Sequence, residues 1–200
     1  MIEMAVTMMV FAILVALGVP TMSTWIKNNK VRAVSDALQT GLRLAQAESL
    51  RRSRQVVFSL TNSTTPDTVL PLPAVANGTS WAIYTLPSMA SGESPTFIQS
   101  GMLSNVSANV NINSNGVAAV CFNSMGRLTA NANVTAITGG DTCAQPTAVL
   151  PPGTSPGYAF GISTPGSDRP LQVNLGLGGQ VHMCDPVVPI SAAHPEGCSP

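Results

Sequence analysis

Charge is scarce in these 200 residues: 9% are charged and 4% aromatic, against 16 Pro and 17 Gly. About 25% charge is usual for a soluble globular chain. Histidine is rarer still, with only His182 and His194, both close to the C-terminus. No G-x-S-x-G or other nucleophile setting accompanies the abundant Ser and Thr, so a hydrolase triad lacks its parts. No G-x-G-x-x-G or P-loop occurs, and the run Gly176-Leu177-Gly178-Gly179 precedes a strand-like segment, not a helix. These absences exclude the common catalytic and nucleotide-binding classes, and no catalytic residue, cofactor or metal is expected.

The little charge present is unevenly placed. Residues 27–54 carry +5, from Lys27, Lys30, Arg32, Arg43, Arg51, Arg52 and Arg54 against Asp36 and Glu48. Residues 55–200 carry −4, and Glu3 brings the total to zero. Before the basic segment lies MIEMAVTMMVFAILVALGVPTM, apolar apart from Glu3. A spanning helix needs about 20 residues, so 1–22 is just adequate. A carboxylate in such a stretch is costly and points to function. The start is acidic and no A-x-A site follows, unlike a secretory signal peptide. Pro20 removes one helical hydrogen bond and predicts a bend.

From residue 23 the helix becomes amphipathic. Val31, Val34, Ala37, Leu38, Gly41, Leu42 and Ala45 recur at helical spacing and form one apolar stripe. Arg32, Arg43 and Arg54, eleven residues apart, line the opposite side. Taken whole, a helix of roughly 50 residues is about 75 Å long and needs neighbours along its length.

From Gln55 the period changes. QVVFSLTN, TSWAIYTL, ANVNINSN, GVAAVCFN, RLTANANVTAI, GYAFGIST, PLQVNLG and GQVHMC are short, β-branched or alternating. They predict antiparallel strands in a sandwich or meander. Asn115-Gly116 predicts a hairpin turn between two of them. Residues 63–78 and 144–156 read as long loops. The expected architecture is α+β: a long N-terminal transmembrane and amphipathic helix packed on an antiparallel β-sandwich-like domain. Its parts are a membrane half-helix 1–22, an amphipathic half-helix 23–54, a β-rich domain 55–183 and a tail 184–200.

Cys121, Cys143, Cys184 and Cys198 form an even set confined to the C-terminal domain. Of three possible connectivities the sequence-local one, Cys121–Cys143 with Cys184–Cys198, is simplest. Disulfides persist in oxidising compartments such as the periplasm. This places the domain outside an inner-membrane helix, although basic residues after a span ordinarily stay cytoplasmic. His182, Cys184, His194 and Cys198 have the composition of a zinc site, but their spacing is irregular and bridged cysteines are favoured in that compartment.

An apolar helix with Glu near its start, a proline about seventeen residues on, then W-I-x-x-x-x-V-R resembles a type IV pilin or pseudopilin. LRLAQAESLRRSRQV, VCFNSMGRLT and the VHMCDP…HPEGC tail resemble the FimT/GspH family of minor pilins. The resemblance implies a pilin-like fold and a non-catalytic filament subunit of a type IV pilus or a type II secretion pseudopilus. It implies as partners other major and minor pilins, an inner-membrane assembly platform and a prepilin peptidase acting on the native precursor. Family precursors carry a basic leader cleaved before F-T-L-I-E; here Met1 stands where Leu is usual, ahead of Ile2-Glu3. Glu3 and Pro20 are the assembly residues the resemblance marks, Glu3 pairing with the N-terminal amine of an adjacent subunit.

Some family members are implicated in DNA uptake through a G-R-x-R pattern before the tail cysteine. The matching stretch here is Gly179-Gln180-Val181-His182, with both arginines replaced, and Glu196 stands where a basic residue is common. DNA is therefore the alternative partner, through Arg32, Arg43, Arg54, Gln180 and His182, with phosphate affinity dependent on Lys and Arg charge.

Overall fold

The computed structural model describes residues 2–65, 71–87, 93–106, 109–139, 142–143 and 157–198, without the side chains of 17–21, 135 and 136. One helix, α1, runs Ile2–Arg52 and passes through Pro20 without interruption. Strands follow as β1 (Val56–Thr61), β2 (Ser80–Thr85), β3 (Thr96–Met102), β4 (Asn111–Asn113) and β5 (Ala119–Phe122). The remaining strands are β6 (Gly157–Ser163), β7 (Leu171–Gly176), β8 (Val181–Pro189) and β9 (Gly197–Cys198). Two one-turn helices, α2 (Leu103–Val106) and α3 (Thr135–Thr138), interrupt the series.

The helix ends two residues before the expected Arg54, for a local reason. Ser53 turns left-handed at φ 51°, its amide donates to the Leu50 carbonyl, and the Arg54 amide donates to the Ser49 carbonyl. That pair of bonds is the Schellman stop, which satisfies carbonyls the last turn would leave open. Arg51 and Arg52 add favourable charge there.

The strands form two sheets, ordered β3-β2-β1-β5 and β4-β6-β7-β8-β9. All pairings are antiparallel except β8 with β9. The apolar stripe of α1 is buried, with Val31, Val34, Leu38, Leu42 and Ala45 at 0–1% exposure. It packs against Phe58, Leu60, Trp81, Ile83 and Phe122 of the first sheet and Phe160, Ile162, Val173 and Leu175 of the second. One core therefore holds the helix and both sheets together. Its burial is the main favourable term of the fold.

The first sheet is also covered on its outer face, which explains why β1, β2 and β5 are buried along their full length. Val57, Tyr84 and Cys121 meet Leu72, Ala74, Val134 and Ile137 in a second cluster. Its lid is tied by Leu72 N–H to the Ile137 carbonyl at 2.6 Å and Ala74 N–H to the Thr138 carbonyl at 2.8 Å. The Cys121–Cys143 disulfide anchors the same lid.

Several strand expectations are corrected. Asn115 and Gly116 do adopt left-handed φ of 51° and 82°, and the Val117 amide closes the turn on the Ser114 carbonyl. The turn nevertheless joins no hairpin: β4 pairs with β6 while β5 pairs with β1. Ser114 is held by Asn77, whose side-chain Oδ1 accepts from the Ser114 amide at 2.7 Å, so the chain crosses between sheets there. RLTANANVTAI is not a strand; it makes isolated bridges at Leu128 and Asn131 and then turns into α3. Its alternation serves the lid, with Val134 and Ile137 buried. The segment TFIQSGM, not expected as a strand, is the edge strand β3.

The tail boundary at 184 is corrected as well. Strand β8 continues to Pro189, and β9 returns beside it in parallel. Cys184–Cys198 joins those two strands. The 144–156 loop lies outside the described residues, as does 66–70 of the 63–78 loop.

Candidate functional site

The amphipathic half of α1 is absorbed by the domain; the apolar half is not. Every residue from Ile2 to Ala16 is exposed, including Met4 at 69%, Met8 at 72% and Phe11 at 69%. Glu3 lies among them, in the first turn. An exposed apolar surface of this extent marks a protein or membrane interaction site. Among the described residues no helix is long and apolar enough to cross a membrane; the expected span 1–22 includes Met1 and the side chains of 17–21, which lie outside that description.

The three arginines of the opposite stripe have different surroundings. Arg32 is exposed. Arg43 Nη2 donates to the Val181 carbonyl at 3.1 Å and so pins α1 to β8. Arg54 pairs with the Glu93 carboxylate. Three helical turns separate Arg32 from Arg43 on α1, whereas Arg54 lies beyond the helix end at Arg52 and so does not continue the expected stripe.

Gln180 occupies the β7–β8 turn, where its carbonyl accepts the Gly176 amide at 2.9 Å. His182 is exposed on β8 opposite Asn174. Arg43, bonded to Val181, thus meets the Gln180–His182 segment, while Arg32 and Arg54 stand away from it. A glutamine and a histidine beside one arginine already engaged with a backbone carbonyl make a weak phosphate site.

The four zinc-like residues divide differently. Cys184 and Cys198 are joined to each other, which removes both thiolates. His194 Nδ1 lies 3.2 Å from Glu196 Oε1. The Glu196 backbone amide, then His194, hold that carboxyl below the ordinary range. Among the described residues no cluster of three or more His, Cys, Asp or Glu could hold a metal ion.

At the C-terminal end of α1, Glu48 accepts from Arg51 at 2.7 Å and Arg52 at 2.7 Å. These bonds lower its pKa to about 2. At the other end of the packed half-helix, Lys27 and Lys30 face β4 and the β6–β7 turn across a cleft of 430 Å³. Sequence reasoning counted these lysines only as part of a basic half, because their partners at 109–111 and 164–168 are distant in the chain.

The model of the family described as Type II transport protein GspH matches residues 34–179. The chain belongs to the GspH family. No match was found among curated proteins. Among solved structures, the type IV minor pilin FimU of Pseudomonas aeruginosa is similar at 15% identity and a TM-score of 0.50, over 81% of this chain and 96% of that one. The minor pseudopilin EpsH of the Vibrio cholerae type 2 secretion system gives 10% identity and a TM-score of 0.45, over 78% and 98%.

The GspH match contains the LRLAQAESLRRSRQV and VCFNSMGRLT segments but not the tail. The FimT/GspH resemblance is borne out at the level of the family, and the likeness to FimU supports the pilin-like α+β fold. The chain is a minor pilin or pseudopilin.

Proposed function

We propose that this GspH-family subunit works by helix-mediated assembly, in or at the priming end of a periplasmic filament of the type II secretion or type IV pilus class. The carrying observation is the contrast within α1: the stripe from Val31 to Ala45 is buried in its own domain, while Ile2 to Ala16 is wholly exposed. Exposed apolar surface of this kind requires a second environment. In the proposed cycle residues 1–22 first lie in the inner membrane with the domain periplasmic. They are later drawn by the assembly platform into a bundle of pilin helices, after prepilin peptidase has processed the precursor.

Glu3 is the register residue of this reading. Once the helix leaves the membrane for an apolar filament core, its carboxylate needs the N-terminal amine of a neighbouring subunit. Removing one partner of a buried ion pair costs about 3–5 kcal/mol. Pro20, set inside the helix, is the proposed site where α1 adapts between membrane and filament. Catalysis has no role in this function.

The test is Glu3→Ala in the full chain, with membrane fractionation and cross-linking to partner pilins read together. Membrane insertion is expected to persist while co-assembly falls at least roughly tenfold, given the size of that penalty. Undiminished incorporation would sink the pairing role.

A further inference from the structure

The cleft at the membrane-side end of the domain has the chemistry of an anion site. Its walls come from three places: Lys27 and Lys30 on α1, Asn109 and Asn111 at the start of β4, and Thr164 and Pro165 after β6. Lysines three apart share one helical face. Lys27 Nζ lies over the β6–β7 turn, so close to Gly166 that a Cβ there would stand 2.5 Å away.

The walls are tied together by groups other than the lysines. Asn28 donates to Asp168 Oδ1 at 2.5 Å, fixing the helix to the turn. The Thr164 hydroxyl donates to the Asn109 carbonyl at 2.6 Å, fixing the turn to the loop before β4. Asp168, the carboxylate of that turn, is thereby engaged by an amide. Among the described residues the lining contains two ammonium groups, two amides and no carboxylate.

The cleft's place on α1 selects the source of the anion. Just before it, Met22, Trp25 and Ile26 are exposed at 64%, 64% and 46%. An exposed tryptophan at the end of an apolar helix is the ordinary anchor at headgroup depth, with lysines reaching the polar layer beyond it. The geometry points to a phospholipid headgroup site: Lys27 and Lys30 bind the phosphodiester of a periplasmic-leaflet lipid and hold the domain on the membrane before assembly. This rests on the proposed insertion of residues 1–22. The chemistry recognised is phosphate, and free phosphate is the competing source.

The test reconstitutes the full chain in nanodiscs of phosphatidylethanolamine with graded phosphatidylglycerol, and counts lipids retained by native mass spectrometry. Each lysine near an anionic lipid surface contributes roughly a fivefold factor in affinity, so Lys27→Gln with Lys30→Gln is expected to lose retention about 25-fold. Arg32→Gln, exposed and outside the cleft, should retain lipid like the parent and controls for general charge loss. Equal retention by the parent and the double variant would overturn the site. Loss of retained lipid on adding millimolar inorganic phosphate would also overturn it, by assigning the cleft to free phosphate. A chain that stays outside the nanodisc altogether would refute the membrane reading on which the site rests, and is told apart by its absence from the disc fraction.

Discussion

Trp81 and Gly41 meet across the helix–sheet seam so closely that a Cβ at position 41 would stand 2.9 Å from the indole Cε2. A Cβ at Gly101, the cross-strand partner of Trp81 on β3, would come within 2.6 Å of the same atom, and Phe58 stacks at a centroid distance of 5.8 Å. A glycine inside a helix costs about 1 kcal/mol relative to alanine, so its presence here reflects the close approach of α1 to β2.

Gly41→Ala therefore sets two effects against each other. Helix propensity would gain about 1 kcal/mol, while overpacking a filled core costs about 1–3 kcal/mol. With the indole also in close contact with Gly101 and stacked on Phe58, the second effect should win, and the domain should unfold several degrees earlier on heating. A thermal midpoint at or above the parent value would show that the indole can move.

Glu48 supplies a pH dependence whose sign follows from its bonds to Arg51 and Arg52. Those bonds lower its folded-state pKa from 4.5 to about 2. The carboxylate thus stabilises the fold fully above its unfolded pKa, and the contribution disappears as pH falls from about 4.5 towards 2. Arg51 is 64% exposed, so solvent screening holds the contribution to about 0.5–1 kcal/mol, the range of exposed ion pairs. Unfolding free energies from urea titrations of the parent and Glu48→Gln should differ by that amount at neutral pH and converge near pH 2. A constant gap across this window would mean that the glutamate acts through shape and not charge.

The parts of the fold that were legible in the sequence are those set by local period. The stripe from Val31 to Ala45 shows itself through its spacing, and β1, β2 and β5 through dense apolar runs that proved to be covered on both faces. Partner choice was not legible. Asn115-Gly116 specifies backbone angles at two residues, whereas the contacts that send β4 and β5 to different sheets come from Asn77, β1 and β6. Strand β3 escaped notice because Gln99, Ser100 and Gly101 dilute its apolar character at a sheet edge. The same contrast holds for function: Glu3 stands out against its own neighbours, while Lys27 and Lys30 acquire meaning only beside Asn109 and Thr164.

DNA binding by this subunit should be negligible. Polyanion affinity rests on several Lys or Arg side chains that release counterions together, and it falls steeply with salt. Residues 55–200 carry a net charge of −4, and the segment that meets Arg43 contributes Gln180 and His182 in place of arginines. Arg43 already bonds the Val181 carbonyl, and Arg54 pairs with Glu93. Engaging phosphate there would break contacts that position α1 on the domain. Residues 24–200 should give no retardation of duplex DNA at low salt, and replacing Gln180 and His182 together by arginine should begin to create it. Submicromolar, salt-sensitive binding by the parent chain, lost on Arg43→Gln, would instead establish the β7–β8 turn as a nucleic-acid site.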